Sequence, residues 1–527
     1  MKKLVIKLLR LAMLILVGVP PVGAAQTNGE VVIQGSIDTT LVREKKIKSI
    51  GVKIHDLNKS INGNEELVWS TISSDGTFKL SFNNTEELSY VSFQVEIDGL
   101  TNRSYTHLTY LYQTDALGYK YLLKPNDTCQ VQILRNGLPR FYNKNAAMLN
   151  LQSALYTFPS FRESIDLQIA TLRKQGKIEE IWKLFEDLIQ DELSVKKSIL
   201  DAFKDQLEPE IYERIYLDMI GKTQYDFIRG NIIPWFIATP SRRTVFLDHY
   251  DHFMSRLAFS TENIKPLSIV KSAYYTDFLL IKEQIEYVRK ANTISYRGDS
   301  FIPIMNAIVA HYDGIVKEQL LVKSCVKLRK FFPVEMYTVK DQVLEHLSSS
   351  LYWTEMDQFF KRQYGKAFNF SLSDASGRIY HLADFKDKVI IMDFWFTGCS
   401  HCKVLKSNMD PIIDSLKAND DLLIVSVGLD KKRDVWLKSL KEGEYTHENG
   451  LDLFADGLGF DHPLPKYYGF IGAPVLLVID KSGTVVPLKQ PRITADVIDG
   501  KKEAAVILEH PLAQEFIRVI SNLLGQK

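Results

Sequence analysis

The sequence predicts a multidomain protein, with an N-terminal antiparallel β-sandwich, an α-helical middle region and a C-terminal α/β domain. Three observations predict it. The chain has 527 residues, several times the roughly 150 of a common single domain. Its hydrophobic period is two near the N-terminus and near 3.6 in the middle. Towards the C-terminus it becomes continuous apolar runs separated by a helical pattern. The boundaries that follow are residues 26–138, 139–363 and 364–527, after a leader of residues 1–25.

The leader comes first. Lys2, Lys3, Lys7 and Arg10 precede the apolar run Leu11–Val19, then Pro20-Pro21 and Val22-Gly23-Ala24-Ala25. A basic start, a short apolar core and small residues at its end make a secretory signal peptide. The run is shorter than the roughly 20 residues of a membrane-spanning helix. Export to the periplasm or cell envelope is the expectation, with an uncleaved anchor as the alternative. No Cys stands near the cleavage point, which excludes a lipid-modified Cys.

Charge and cysteine content narrow the function classes. Lys plus Arg number 65 against 64 Asp plus Glu, so no basic excess points to nucleic acid as a partner. Only four cysteines occur, too few for a disulfide framework even in an oxidising compartment. Cys129 and Cys325 stand far apart and are expected as buried thiols.

From about Val31 to Leu134 short runs alternate between turn signals. Val91, Phe93, Val95 and Ile97 share one face of a strand, Asp75-Gly76 opens Thr77–Phe82, and Pro125-Asn126-Asp127 leads into Gln130–Leu134. Turn followed by alternating strand, repeated, predicts the sandwich. From about Tyr142 to Gln363 the pattern is helical: Ile178, Ile181, Trp182, Phe185, Leu188 and Ile189 recur at spacings of three and four. Gln319 through Phe331 reads similarly, and Leu344, Leu347 and Leu351 continue the trend. Tyr212, Tyr216, Tyr225 and Phe227 read as core rather than as a binding face.

The third regime starts near Gly365. Lys388–Trp395 and Leu422–Val427 are continuous apolar strands of the kind buried on both faces. Between them Val404, Leu405, Met409, Ile412, Ile413 and Leu416 have helical spacing, which makes a βαβ unit. Pro474–Asp480, the turn Lys481-Ser482-Gly483 and Thr484–Val486 make a hairpin. A closing helix carries Leu512, Phe516, Ile520 and Leu523.

Cys399-Ser400-His401-Cys402 follows the first of these strands and opens the helix. A helix N-terminus carries about half a positive charge and favours the thiolate. Two intervening residues leave the second sulfur able to attack a mixed disulfide. Cys399 is then the nucleophile and Cys402 the resolving thiol. A zinc site and a purely structural disulfide are the competing readings. Zinc takes four ligands, and only His447 and His462 follow, at irregular distances.

Asp393–Cys402 resembles the active-site stretch of thioredoxin-fold thiol–disulfide oxidoreductases of the TlpA/ResA type. Phe368–Asp374, Gly377–Leu382, Phe385 and Lys388 resemble that family's N-terminal hairpin, and Tyr468–Pro474 the segment with its cis-proline. The match runs from about Gly365 to Lys527 and implies a C-terminal thioredoxin-like domain. The three regions together resemble multidomain envelope members from the Bacteroidetes.

The resemblance implies several roles. Pro474 would be cis, against the dithiol, with Trp395, Ala473 and Pro474 on the substrate-binding side. Asp393, six residues before Cys399, would be the buried proton acceptor for the resolving thiol, its pKa raised by burial. His401 stands where thioredoxin has proline and is similar to strongly oxidising periplasmic dithiol proteins; a nearby imidazolium stabilises the thiolate. The redox group is the Cys399–Cys402 pair itself, so no separate cofactor and no metal are expected. Protein or peptide thiols and disulfides, and a membrane redox partner, are the expected partners. Leu405 and Ser407 stand where the family often has Glu and Pro, and Ala473 where it often has Thr, so those roles do not transfer.

The function expected is an exported oxidoreductase that exchanges disulfides through this dithiol. One alternative is an envelope ligand-binding protein with an auxiliary redox domain. Another is a thiol peroxidase, against which stand Phe396 and Met392 where that group has Thr and Pro.

Overall fold

The computed structural model describes residues 29–55, 66–84, 88–97, 106–107, 119–142, 145–157, 162–233, 249–250, 264–291, 300–493 and 504–525. The expected leader lies outside them. The described residues divide into two compact units, the first reaching Ser324 and the second starting at Cys325. Among the described residues no helix is long and apolar enough to cross a membrane.

The first unit begins strand-rich. Its strands are β1 (Glu30–Ile37), β2 (Ile47–His55), β3 (Glu66–Thr71), β4 (Thr77–Asn83), β5 (Ser89–Ile97), β6 (Thr106–His107), β7 (Tyr121–Leu123), β8 (Thr128–Ile133) and β9 (Pro139–Tyr142). They form two sheets, ordered β4-β1-β8-β9 and β3-β2-β5-β6, with β7 also paired to β5. On β4 the side chains alternate as the period-two pattern requires: Phe78, Leu80 and Phe82 are buried and their neighbours exposed. Every described pairing here is antiparallel except β1–β8, which is parallel.

The helical middle follows. Helix α1 (Thr39–Lys45) lies within the strand region, and α2 (Ala146–Thr157), α3 (Arg162–Lys174), α4 (Ile178–Asp201) and α5 (Pro209–Phe227) come after it. Helices α6 (Pro266–Val270), α7 (Tyr275–Ala291), α8 (Ile302–His311) and α9 (Gly314–Leu328) complete the series. On α4 the buried stripe is Ile181, Trp182, Phe185, Leu188 and Ile189, the i, i+3, i+4 recurrence of an amphipathic helix. Tyr225 and Phe227 are buried and Tyr212 and Tyr216 half-buried.

In the second unit, α10 (Pro333–Glu345) and α11 (Ser350–Tyr364) precede a seven-stranded sheet. The apolar trend through Leu344 and Leu347 breaks at the step between these helices, and Leu351 is exposed. The sheet comprises β10 (Ser371–Ser373), β11 (Ile379–His381), β12 (Val389–Trp395), β13 (Leu422–Gly428), β14 (Leu451–Phe454), β15 (Val475–Ile479) and β16 (Val485–Val486). Its order is β11-β10-β14-β13-β12-β15-β16. Strands β14, β13 and β12 run parallel, and the outer pairings β12–β15, β15–β16, β14–β10 and β10–β11 are each antiparallel.

Strand β12 is buried along its whole length and feeds two cores. Ile390, Met392 and Phe394 face one, with Val425, Val427 and Leu453. Val389 and Ile391 face the other, against α12 (Ser400–Leu416) and the closing helix α16 (Pro511–Gly525). Three shorter helices complete the unit: α13 (Arg433–Glu442), α14 (Pro463–Tyr467) and α15 (Ala504–Glu509). Gly428 ends β13 under the Trp436 indole, where a Cβ would stand 2.2 Å from Cδ1.

Candidate functional site

Strand β12 ends at Trp395, and the turn Phe396-Thr397-Gly398 carries the chain to Cys399, which caps α12. Gly398 has φ +87°, a left-handed conformation that glycine adopts without a Cβ clash. Cys399 Sγ accepts a hydrogen bond from Cys402 N–H at 3.2 Å, as an N-cap side chain does. Cys399 and Cys402 are joined as a disulfide. Both are largely enclosed, at 6% and 4% exposure. His401 and Ser400 between them are exposed. Cys129 and Cys325 are buried and stand outside any disulfide.

The turn is fixed from beneath. Thr397 donates from its backbone N–H and its hydroxyl to Asp430, at 3.1 and 3.0 Å, and its oxygen lies 2.7 Å from Ser439 Oγ. Gly398 N–H donates to Tyr445 Oη at 2.9 Å. The Tyr445 ring stacks on Trp395, with centroids 4.8 Å apart and planes 3° from parallel. Burial pushes the Asp430 carboxyl up, and the hydrogen bonds from Thr397 pull it back. Trp395, Cys399, Cys402, Trp436, Tyr445 and Phe454 form one apolar cluster, against which Ala473 packs.

The Ala473–Pro474 peptide bond is cis. Pro474 is buried, and Ile471, three residues earlier, is 92% exposed. The segment is anchored at both ends. Upstream, Arg329 Nη2 donates to Gly469 O at 2.6 Å and Gln363 Nε2 to Tyr468 O at 3.2 Å. Downstream, Arg492 Nη2 donates to Pro474 O at 2.7 Å. Asn408, buried on α12, donates to Pro491 O and Ile493 O, both at 3.2 Å. The dithiol helix and the proline segment therefore share one hydrogen-bonded support.

Asp393 is buried, and its Oδ1 accepts the Ser426 hydroxyl at 2.6 Å. Burial pushes its carboxyl up to about 6, against the opposing pull of His447 and of the Ser426 hydrogen bond. It lies on the same side of β12 as Val389, Ile391 and Trp395, the side that faces α12.

The expected site residues thus divide by position. Cys399, Cys402, Trp395 and Ala473 meet in one cluster, and Asp393 stands one pleat below Trp395 on the same face. Trp395 is 1% exposed, so its indole lies inside the domain, enclosed by Tyr445. His401 is on the outer surface of α12. His447 pairs with Asp410, and His462 caps α14 by accepting from Leu464 N–H. Among the described residues no group of three or more His, Cys, Asp or Glu is placed to hold a metal.

Sequence reasoning did not single out Tyr445, Asp430, Ser426 or Asp452. Asp452 carries the signal that exposed Asp393, a lone carboxylate between apolar strand residues in Leu451-Asp452-Leu453-Phe454. Tyr445 and Asp430 lie outside strands, where periodicity is silent.

Residues 387–485 match a family described as thioredoxin-like. The thiol–disulfide oxidoreductase ResA of Bacillus cereus is 27% identical over 150 residues, covering 27% of this chain and 82% of that protein. The ResA protein of Bacillus thuringiensis is 28% identical over 128 residues, covering 24% and 69%. Among solved structures, the thioredoxin domain of a Bacteroides vulgatus thiol–disulfide oxidoreductase is similar at 24% identity and TM-score 0.21, over 23% of this chain and 84% of that one. A thiol:disulfide interchange protein from Bacteroides sp. is similar at 26% identity and TM-score 0.20, over 23% and 77%. The C-terminal part of this multidomain chain is therefore a thioredoxin-like domain, similar to thiol–disulfide oxidoreductases, that carries the Cys399–Cys402 disulfide at the start of α12.

Proposed function

We propose that the protein is exported to the cell envelope and exchanges disulfides with protein or peptide clients, and that a membrane redox partner resets it. The observation that carries the exchange reading is Cys399 as the N-cap of α12, bonded to Cys402 one helical turn away. In the reductive direction the Cys399 thiolate attacks one sulfur of a client disulfide, and the other client sulfur leaves as a thiolate. Cys402 then loses its proton to the Asp393 carboxylate and attacks Cys399 Sγ. The Cys399–Cys402 bond forms, and the second client sulfur leaves with the electron pair. Run backwards, the same steps oxidise a client dithiol.

The helix N-terminus supports a stabilised Cys399 thiolate, and the exposed His401 adds a positive charge beside it when protonated. The surface segment ending at cis-Pro474 offers a client peptide a place to lie against, with Ile471 presenting an apolar side chain next to it. Residues 1–25 support export through their signal-peptide pattern.

The test is trapping. A Cys402→Ser protein expressed in its native envelope holds its client as a mixed disulfide on Cys399, and reductant releases it. Absence of any Cys399-dependent adduct under oxidising conditions would sink the exchange reading.

A further inference from the structure

Strands β12, β13 and β14 set three polar side chains in one lateral row. Asp393 is in register with Ser426, and Ser426 with Asp452. All three lie on the α12 side, since their neighbours along each strand face the opposite core. The single Ser426 hydroxyl proton goes to Asp393 Oδ1 at 2.6 Å. Asp452 Oδ1 is buried and has no hydrogen-bond partner. An ionised carboxylate oxygen without a donor is costly in an apolar interior. A protonated carboxyl escapes most of that cost.

His447, its side chain 4% exposed, has Nδ1 2.7 Å from Asp410 Oδ1. Asp410, on α12, is 38% exposed and pairs with Lys406 at 2.9 Å. Burial pushes Asp452 up to about 6, as it does Asp393; Asp393 raises it further and His447 lowers it. Asp410 raises Asp393 and His447 lowers it. On the other flank of Asp393 the β15 neighbour is apolar, Leu476.

We propose that Asp393 and Asp452, set on either side of Ser426, form one proton-holding pair, and that Asp452 is the positioning residue governing when Asp393 is ready to accept. This rests on the exchange reading for its use. The Cys402 S–H bond breaks and an O–H bond forms on Asp393. The Cys402 thiolate displaces the client thiolate from Cys399. The proton then passes from the pair to bulk water, and Asp393 is a carboxylate again.

Two carboxyls coupled this way titrate as a pair, in two steps. The Asp393 carboxyl carbon, followed by NMR in the oxidised full-length protein, should titrate in two resolved steps in the wild type. Asp452→Asn should collapse them to a single step at lower pH. His447→Gln removes the attractive charge and should move the midpoint the other way. The second readout is release of glutathione from a Cys399–glutathione mixed disulfide by Cys402. Its rate should rise with pH, and Asp452→Asn should move the half-rise to lower pH by about half a unit, roughly threefold in rate on the acid limb. Single-step titration in the wild type, with the Asp393 midpoint unmoved in both variants, would overturn the pair. The NMR readout needs no turnover, so a protein that shows the paired titration but never releases glutathione has lost the exchange reading and kept the pair. If Asp452→Asn does not fold, the two-step titration of Asp393 in the wild type carries the test alone.

Discussion

Tyr445 lies flat on Trp395, ring centroids 4.8 Å apart, and its hydroxyl accepts the backbone N–H of Gly398, the residue before Cys399. One side chain from the segment before β14 thereby fixes both the end of β12 and the turn that presents Cys399. Tyr445→Phe keeps the ring and loses the acceptor. A cost of about 1 kcal/mol is expected, with faster amide exchange at Gly398. Tyr445→Ala also opens the cluster around the disulfide and should cost about 3–5 kcal/mol in denaturant unfolding.

Asp393 should make stability depend on pH. Its folded-state pKa is raised above the unfolded value of 3.8 to about 6. The unfolded chain therefore ionises first as pH rises. The favourable term is full below the unfolded value and is lost progressively until the folded group ionises near 6. Asp393→Asn removes this loss. It should leave stability near pH 3.5 unchanged and raise that of the oxidised protein at pH 7.5 by about 2–3 kcal/mol, while slowing resolution by Cys402. Urea melts from pH 3.5 to 8 measure the first effect; equal gains at both ends would contradict it.

His401 is exposed beside the pair. Protonated, it stabilises the reduced, thiolate form and makes the disulfide the stronger oxidant. The reduction potential against glutathione should lie above roughly −270 mV and fall in His401→Pro. A wild-type value at or below that figure, or no change in the variant, would remove His401 from the redox balance.

Gly428 allows the Trp436 indole to lie over the end of β13. Gly428→Ala drives a methyl group into a ring that already packs on Phe454, and about 1–3 kcal/mol should be lost. Trp436→Phe should lose stability too. The two changes together should cost less than the sum of their separate losses, which a double-mutant cycle measures.

Much of the second unit was legible because its signals are local. The apolar runs of β12 and β13, the helical spacing between them and the cysteines at the junction all fall within some forty residues. Asp393 was legible for the same reason, as a carboxylate where only apolar side chains are expected. Asp452 bears the same mark, but its strand is four residues long. Its place beside Ser426 is set by the parallel register of β13 and β14, which no local pattern encodes. Alternation likewise revealed β8 without revealing that it runs parallel to β1, because period two is common to both ladders. Tyr445 acts through a stack and one hydrogen bond from an irregular segment, and an isolated tyrosine there looks like any other. The apolar trend through Leu351 failed at the Ser349–Ser350 step, where a new helix starts with a different face inward.

The close approach of Gly428 to Trp436 also leaves a trace that evolution can be asked about. The space above residue 428 is already filled by the indole, so a side chain at one position is bought with atoms at the other. Relatives that keep Trp436 should keep glycine at 428. Relatives that have drifted to a larger residue there should have surrendered the indole. The two positions, eight apart in sequence, are expected to change hands together across the descendants of this domain.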